Sequence, residues 1–137
     1  MGQGAMKITA DTNVLIRAAV QDDPNQSRRA SRVLQEAELV AVPLPVLCEL
    51  VWVLRSGYKS STSDISNAIR RLMMTAKVAM NRPAVEAGLS VLEGGGDFAD
   101  GVIAYEGNWL GAEEFLSFDS KAVSVLKSQG INARLLS

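Results

Sequence analysis

Histidine is absent from all 137 residues, and Cys48 is the only cysteine. The first absence removes Ser-His-Asp and Cys-His nucleophilic schemes, together with zinc or iron held by imidazole. The second excludes an internal disulfide and a thiolate zinc cluster, and fits a reducing, cytoplasmic compartment. No apolar run approaches the roughly 20 residues that cross a bilayer, and no basic start with a continuous apolar stretch marks a signal peptide. Excess charge is missing too. Fourteen basic and fifteen acidic residues leave a net charge of −1, which argues against a generic basic nucleic-acid binder, although a global sum conceals local patches. Any metal bound here must be held by oxygen, which points to magnesium or manganese.

What is present reads as one compact domain with a sizeable core. The opening "MGQGA" is patternless, an appended remnant or disordered start, so residues 1–5 are set apart from a single domain over 6–137. Short strands alternate with helices. Lys7 to Ala10 begins a strand, and a helix follows from Thr12. "NQSRRASRVLQEAE" places Ala30, Val33, Leu34 and Ala37 on one face. "LVAVP" is a buried strand stopped by Pro43 and Pro45, and "PVLCELVWVLRSG" is a helix ending at Gly57. A capped helix over "STSDISNAIRRLMM" carries the stripe Ile65, Ala68, Ile69 and Leu72, and "KVAMN" forms a short edge strand. "RPAVEAGLSVLEGGG" and "DFADGVIAYEGNWLG" are helices, "EEFLSF" a strand, "DSKAVSVLKSQG" a helix and "INARLL" a last strand. This alternation implies a layered α/β fold with a mainly parallel sheet.

The acids fall at informative places. Asp11 follows "KITA", Asp119 follows "FLSF", and Asp97 follows "GGG". Each is well suited to capping a helix N-terminus. Strand C-terminal ends of a parallel sheet also open onto the edge where ligands bind, so Asp11 and Asp119 are expected to face one crevice. Glu49 is the only charged residue in "VLCELVWVL" and has no obvious solvent face, so a cation or a dense hydrogen-bond shell should compensate it. Asp97 and Asp100, three apart, share a helix face and repel unless something positive lies between them. The following Phe98, Val102 and Ile103 should pack on the sheet. Three basic clusters, Arg28/Arg29/Arg32, Arg55/Lys59 and Arg70/Arg71, read as solvated helix faces that stay available for phosphates. Trp52, Trp109, Phe98 and Phe115 read as core.

Converging carboxylates without histidine call for divalent cations, which relieve their repulsion, activate water and grip phosphate oxygens. Thr12, Asn13 and Ser117 are placed to orient such ligands. "ADTNVLIRA", "ELVWVL", "DFADGVIA" and "FLSFD", in that order, resemble a PIN domain, most closely the VapC-type toxins of bacterial toxin–antitoxin pairs. The resemblance implies a three-layer α/β/α fold with a mainly parallel central sheet and a Mg²⁺- or Mn²⁺-dependent endoribonuclease with one or two ions. Its acids map onto Asp11, Glu49, Asp100 and Asp119, with Asp97 at a position where members vary. It implies homodimers whose basic grooves receive RNA, and a cognate antitoxin that inserts an arginine into the acidic pocket.

Other strand-end-aspartate folds fit less well. A haloacid-dehalogenase-like phosphatase needs a second aspartate where Asn13 stands. A receiver domain needs a phosphorylatable aspartate after the middle strand, where prolines follow "LVAVP" instead. "EGGGD" lacks the Lys-Ser/Thr of a phosphate loop and reads as helix termination. A PIN-like binding module without catalysis, or a PIN nuclease in RNA processing, are the functional alternatives.

Overall fold

The computed structural model describes residues 6–137, so the expectation for residues 1–5 lies outside the described residues. The chain falls into two compact units, one ending at Met80 and the other Asn81–Ser137. The first is ordered as β1 (Lys7–Thr9), α1 (Thr12–Ala19), α2 (Pro24–Glu36), β2 (Leu39–Ala41), α3 (Leu44–Ser56), α4 (Thr62–Met74) and β3 (Val78–Ala79). Its three strands form one parallel sheet in the order β1-β2-β3, with Ile8 opposite Val40 and Val40 opposite Val78. Parallel neighbours need a crossover between them, and α1–α2 and α3–α4 supply it.

Helix α3 shows how apolar spacing sets orientation. Leu44, Leu47, Leu50, Val51 and Leu54 are buried, a stripe at helical period. Pro43 stands at its N-cap and Gly57 at its C-cap. The remaining side carries Pro45, Glu49, Trp52 and Ser56, all exposed. Glu49 therefore does have a solvent face, because the apolar residues around it divide into one buried stripe and a thinner exposed one. Trp52, 68% exposed, shares that open side and is not core. On α2 the buried positions are Ser27 and Ala30, and Val33 stays exposed, since the small residues set the contact line.

The second unit contains α5 (Arg82–Glu93), α6 (Phe98–Trp109), β4 (Phe115–Ser117), α7 (Ser120–Ser128) and β5 (Ala133–Leu135). β4 and β5 pair in parallel, Leu116 opposite Arg134. Val91, Val123, Leu126 and Ala133 make a buried cluster, with Phe115 and Ile131 partly buried against it. Helices α5 and α6 approach closely because glycine stands on each facing surface. A Cβ on Gly101 would lie 2.5 Å from the Ala87 carbonyl oxygen, and one on Gly88 2.7 Å from the Phe98 ring. Phe98 and Val102 are buried as expected, but Ile103 is 55% exposed and Trp109 77% exposed. Both lie off the side that Phe98, Gly101 and Val102 turn inward, so the contact line, not hydrophobicity, decides their fate.

Candidate active site

In the first unit the chain leaves β1 and turns at Asp11, whose extended backbone ends the strand as its side chain caps α1. Asp11 Oδ1 accepts a hydrogen bond from the Thr12 amide at 2.8 Å. The buried Thr12 hydroxyl donates to Glu49 Oε1 from the neighbouring α3. Thr12 thus ties the strand-end acid to the helix acid. Asp11, Thr12, Asn13 and Glu49 line one shallow depression of about 400 Å³ with Arg17 and Tyr58.

Arg17 and Tyr58 were not singled out in the sequence. Both are held by Asp22: Arg17 Nη1 lies 3.5 Å from one carboxylate oxygen, and the Tyr58 hydroxyl donates to the other at 3.0 Å. Arg17 Nε also donates to Gln26 Oε1 at 2.5 Å. The available signal was periodicity. Arg17 is one turn beyond Asn13 on the same helix face. Tyr58 follows the helix-ending Gly57, and no local pattern marked it.

In the second unit, Asp97 caps α6 and accepts from the Ala99 amide at 3.2 Å. Asp119 caps α7 and accepts from the Lys121 and Ala122 amides at 3.0 and 3.2 Å. Ser117 Oγ accepts from the Asp119 amide at 2.9 Å, fixing the turn that leaves β4. Asp100 sits in the first turn of α6 and holds its proton above the ordinary carboxylate value; burial is the main cause, followed by the negative charges of Asp97 and Asp119. The three acids of this unit therefore lie within one another's electrostatic reach.

Capping and ligation do not compete here. Asp11, Asp97 and Asp119 each commit Oδ1 to the backbone, and no described residue bonds to the Oδ2 atom of any of them. The N-cap reading is right for all three, and a lone-pair-rich oxygen is left over in each. The donors are carboxylates throughout, with hydroxyl neighbours, the chemistry preferred by hard divalent cations. Among the described residues no three such side chains stand close enough together to hold a metal ion.

The PIN-domain family model matches residues 8–122. That span includes Asp11, Glu49, Asp97, Asp100 and Asp119, both strand-end turns and the close α5–α6 pair. This chain belongs to the PIN-domain family. No individual curated protein matches it. The parallel α/β pattern of this PIN domain is that of a three-layer α/β/α fold, a fold of nuclease type. No helix among the described residues is long and apolar enough to cross a membrane.

Proposed function

We propose that this PIN domain is a Mg²⁺- or Mn²⁺-dependent endoribonuclease, and that it is the VapC-type toxin of a type II toxin–antitoxin pair in the cytoplasm. The observation that carries the reading is the carboxylate oxygen that each capping aspartate leaves free of the backbone; in the second unit this comes with an Asp100 whose proton affinity is raised by burial first and by Asp97 and Asp119 next. Asp11 and Glu49 of the first unit, and Asp97, Asp100 and Asp119 of the second, are the carboxylates that would serve as cation ligands. A bound divalent ion would offset their charge, lower the pKa of water and polarise a phosphodiester.

The chain's own groups do the positioning. Thr12 fixes Asp11 through its amide and Glu49 through its hydroxyl. Ser117 sets the backbone turn at Asp119. Asn13, exposed at the edge of the first unit's depression, offers an amide to substrate or water. The substrate is single-stranded or loop RNA, cut to 5′-phosphate and 3′-hydroxyl ends. The protein acts as a homodimer, and a cognate antitoxin neutralises the acids with an arginine. A PIN module that binds RNA or protein without cutting is the second reading, favoured by the lack of any three-carboxylate cluster among the described residues.

Purified protein incubated with structured and unstructured RNAs, in Mg²⁺, Mn²⁺ or chelator, separates the two. Cleavage that needs a divalent ion and fails in Asp11→Asn and Asp119→Asn supports the nuclease. RNA retained intact in every condition supports the binding module. A toxin, unlike a processing enzyme, should arrest growth on expression and be relieved by the product of an adjacent small reading frame.

A further inference from the structure

The second unit holds a groove of about 680 Å³ between the later turns of α6 and the starts of β4 and β5. Ile103, Ala104, Gly107, Phe115, Leu116 and Ile131 give it a mainly apolar lining. Gly107 has no other explanation in the fold. Glycine weakens a helix relative to alanine, and the close approach to α5 that requires Gly101 has no counterpart here, since a Cβ on Gly107 meets nothing within 4 Å. Nor does Gly107 end the helix, because the left-handed residue after the Leu110 cap is Gly111, at φ 112°. Gly107 lies one turn on from Ile103 and Ala104, both of which line the groove. A side chain at that position would therefore enter the groove, and glycine keeps it open.

The polar groups around this lining favour a donor. Asn108 and Asn132 each spend a side-chain N–H on the backbone, donating to the Ala112 carbonyl at 3.3 Å and the Glu113 carbonyl at 2.9 Å, so their side-chain oxygens are left as acceptors. Glu114 is committed to Arg134 at 3.2 Å, but no described residue pairs with the Glu113 carboxylate. No lysine or arginine is among the described residues that line the groove. Ile103 and Leu116 are exposed at it, and Trp109 and Leu110, directly after the lining Asn108, are more exposed still. Apolar surface of that extent, with a tryptophan in it, suits a protein contact better than a small molecule. The acidic rim selects the kind of protein. It repels RNA and acidic segments, and a two-fold pairing of two copies through this face would set like charges together.

We propose that the α6–β4 groove docks a basic amphipathic segment of a second protein. An apolar anchor of that segment seats over Gly107, and a lysine or arginine beside the anchor pairs with Glu113. Helix-in-groove recognition works in this way, with apolar anchors repeated one turn apart along the docked segment. The anchor supplies most of the affinity, and the ion pair sets which segments are accepted. Gly107 and Glu113 are not among the residues assigned to cation binding, so the inference stands whether or not the chain cuts RNA.

The test uses a fluorescein-labelled amphipathic peptide of leucine and lysine, about four helical turns long, and a leucine–glutamate peptide of the same pattern. Anisotropy is measured on the full chain in chelator. The wild type should bind the lysine peptide and prefer it clearly over the glutamate peptide. Gly107→Leu fills the groove in open space, so it should melt at or above the wild type yet bind the lysine peptide at least about tenfold more weakly. Glu113→Lys, an exposed change that leaves the groove open, should erase or reverse the preference between the two peptides. Equal affinity of the wild type and Gly107→Leu for the lysine peptide would overturn the proposal, as would an unchanged preference in Glu113→Lys. Sedimentation of the wild type and Gly107→Leu covers the other occupant. A wild-type dimer that becomes a monomer in Gly107→Leu would assign the groove to a second copy and overturn the basic partner; an unchanged oligomeric state supports it.

Discussion

The two units place an aspartate directly after a parallel strand and use it to cap the next helix, yet they differ in how the acids nearby are accommodated. In the first, Thr12 stands between Asp11 and Glu49 and hydrogen-bonds to both. In the second, Asp100 is partly buried within reach of Asp97 and Asp119, and its proton affinity is raised by burial first and by those two charges second. The same strand–turn–helix grammar thus yields one set of acids joined by a neutral donor and another in which like charge accumulates. Repulsion of that kind is relieved by a cation, a proton or removal of an acid, so the stability of the second unit should respond to each of the three.

The largest effect should come from removing a carboxylate altogether. Asp11→Asn and Asp119→Asn are each expected to reduce divalent-dependent RNA cleavage by more than the about 10–100-fold that loss of a supporting partner typically costs. Asparagine still caps a helix, so melting temperatures should change little. Retention of activity in either variant would remove that acid from the chemistry.

Next in size is Gly101→Ala. The added methyl meets the Ala87 carbonyl oxygen at 2.5 Å and the Gly88 Cα at 2.8 Å, both backbone atoms of α5. Helices α5 and α6 must separate, at a cost of about 1–3 kcal/mol in chemical denaturation. The same substitution at Gly107, which meets nothing within 4 Å, should be neutral or slightly stabilising.

Thr12→Val tests the bridge of the first unit. It keeps the branched shape and the amide that binds Asp11, but loses the hydroxyl that donates to Glu49. A stability loss of about 1 kcal/mol is expected, with a larger fall in activity than in stability if Glu49 must be held in place. An unchanged apparent affinity for Mn²⁺ would show that the bridge is merely structural.

The smallest effect belongs to Asp100, and its sign is informative. Since the folded protein holds this proton above the ordinary value of 3.8, the protonated form favours folding. Its stabilisation is complete below the unfolded-state pKa and is lost as pH rises through the folded-state value. Asp100→Asn should therefore raise the melting temperature at neutral pH in chelator, and the advantage should fade towards about pH 3. Added Mg²⁺ should narrow the same gap by stabilising the wild type. A lower melting temperature for the variant at neutral pH would mean that Asp100 is satisfied by a partner, not strained by its neighbours.

Much of the fold was legible because the signals were local. Pro43, Ser61, Asn81 and Gly94 punctuate helices where caps belong, and each expected strand and helix forms with ends shifted by only a few residues. The strand-end acids were legible for the same reason. The burial of particular apolar side chains was not. Trp52, Ile103 and Trp109 are hydrophobic by composition but fall off the contact line of their helices, and Glu49 gains its open side from that same selection. Nor did spacing announce that Asp22 would hold both Arg17 and Tyr58, residues 41 positions apart in the chain, beside the first acid.

By itself the sequence determined the alternation of strand and helix, the parallel α/β class, the oxygen-only character of any metal site, and the placing of aspartates at helix starts. Those follow from short-range propensities and from the absence of histidine. Tertiary structure alone decided which face of α3 is open, which oxygen of each cap stays free, and how burial and neighbouring acids raise the proton affinity of Asp100. Such properties depend on distances between residues far apart in the chain, and electrostatic coupling and packing are functions of those distances.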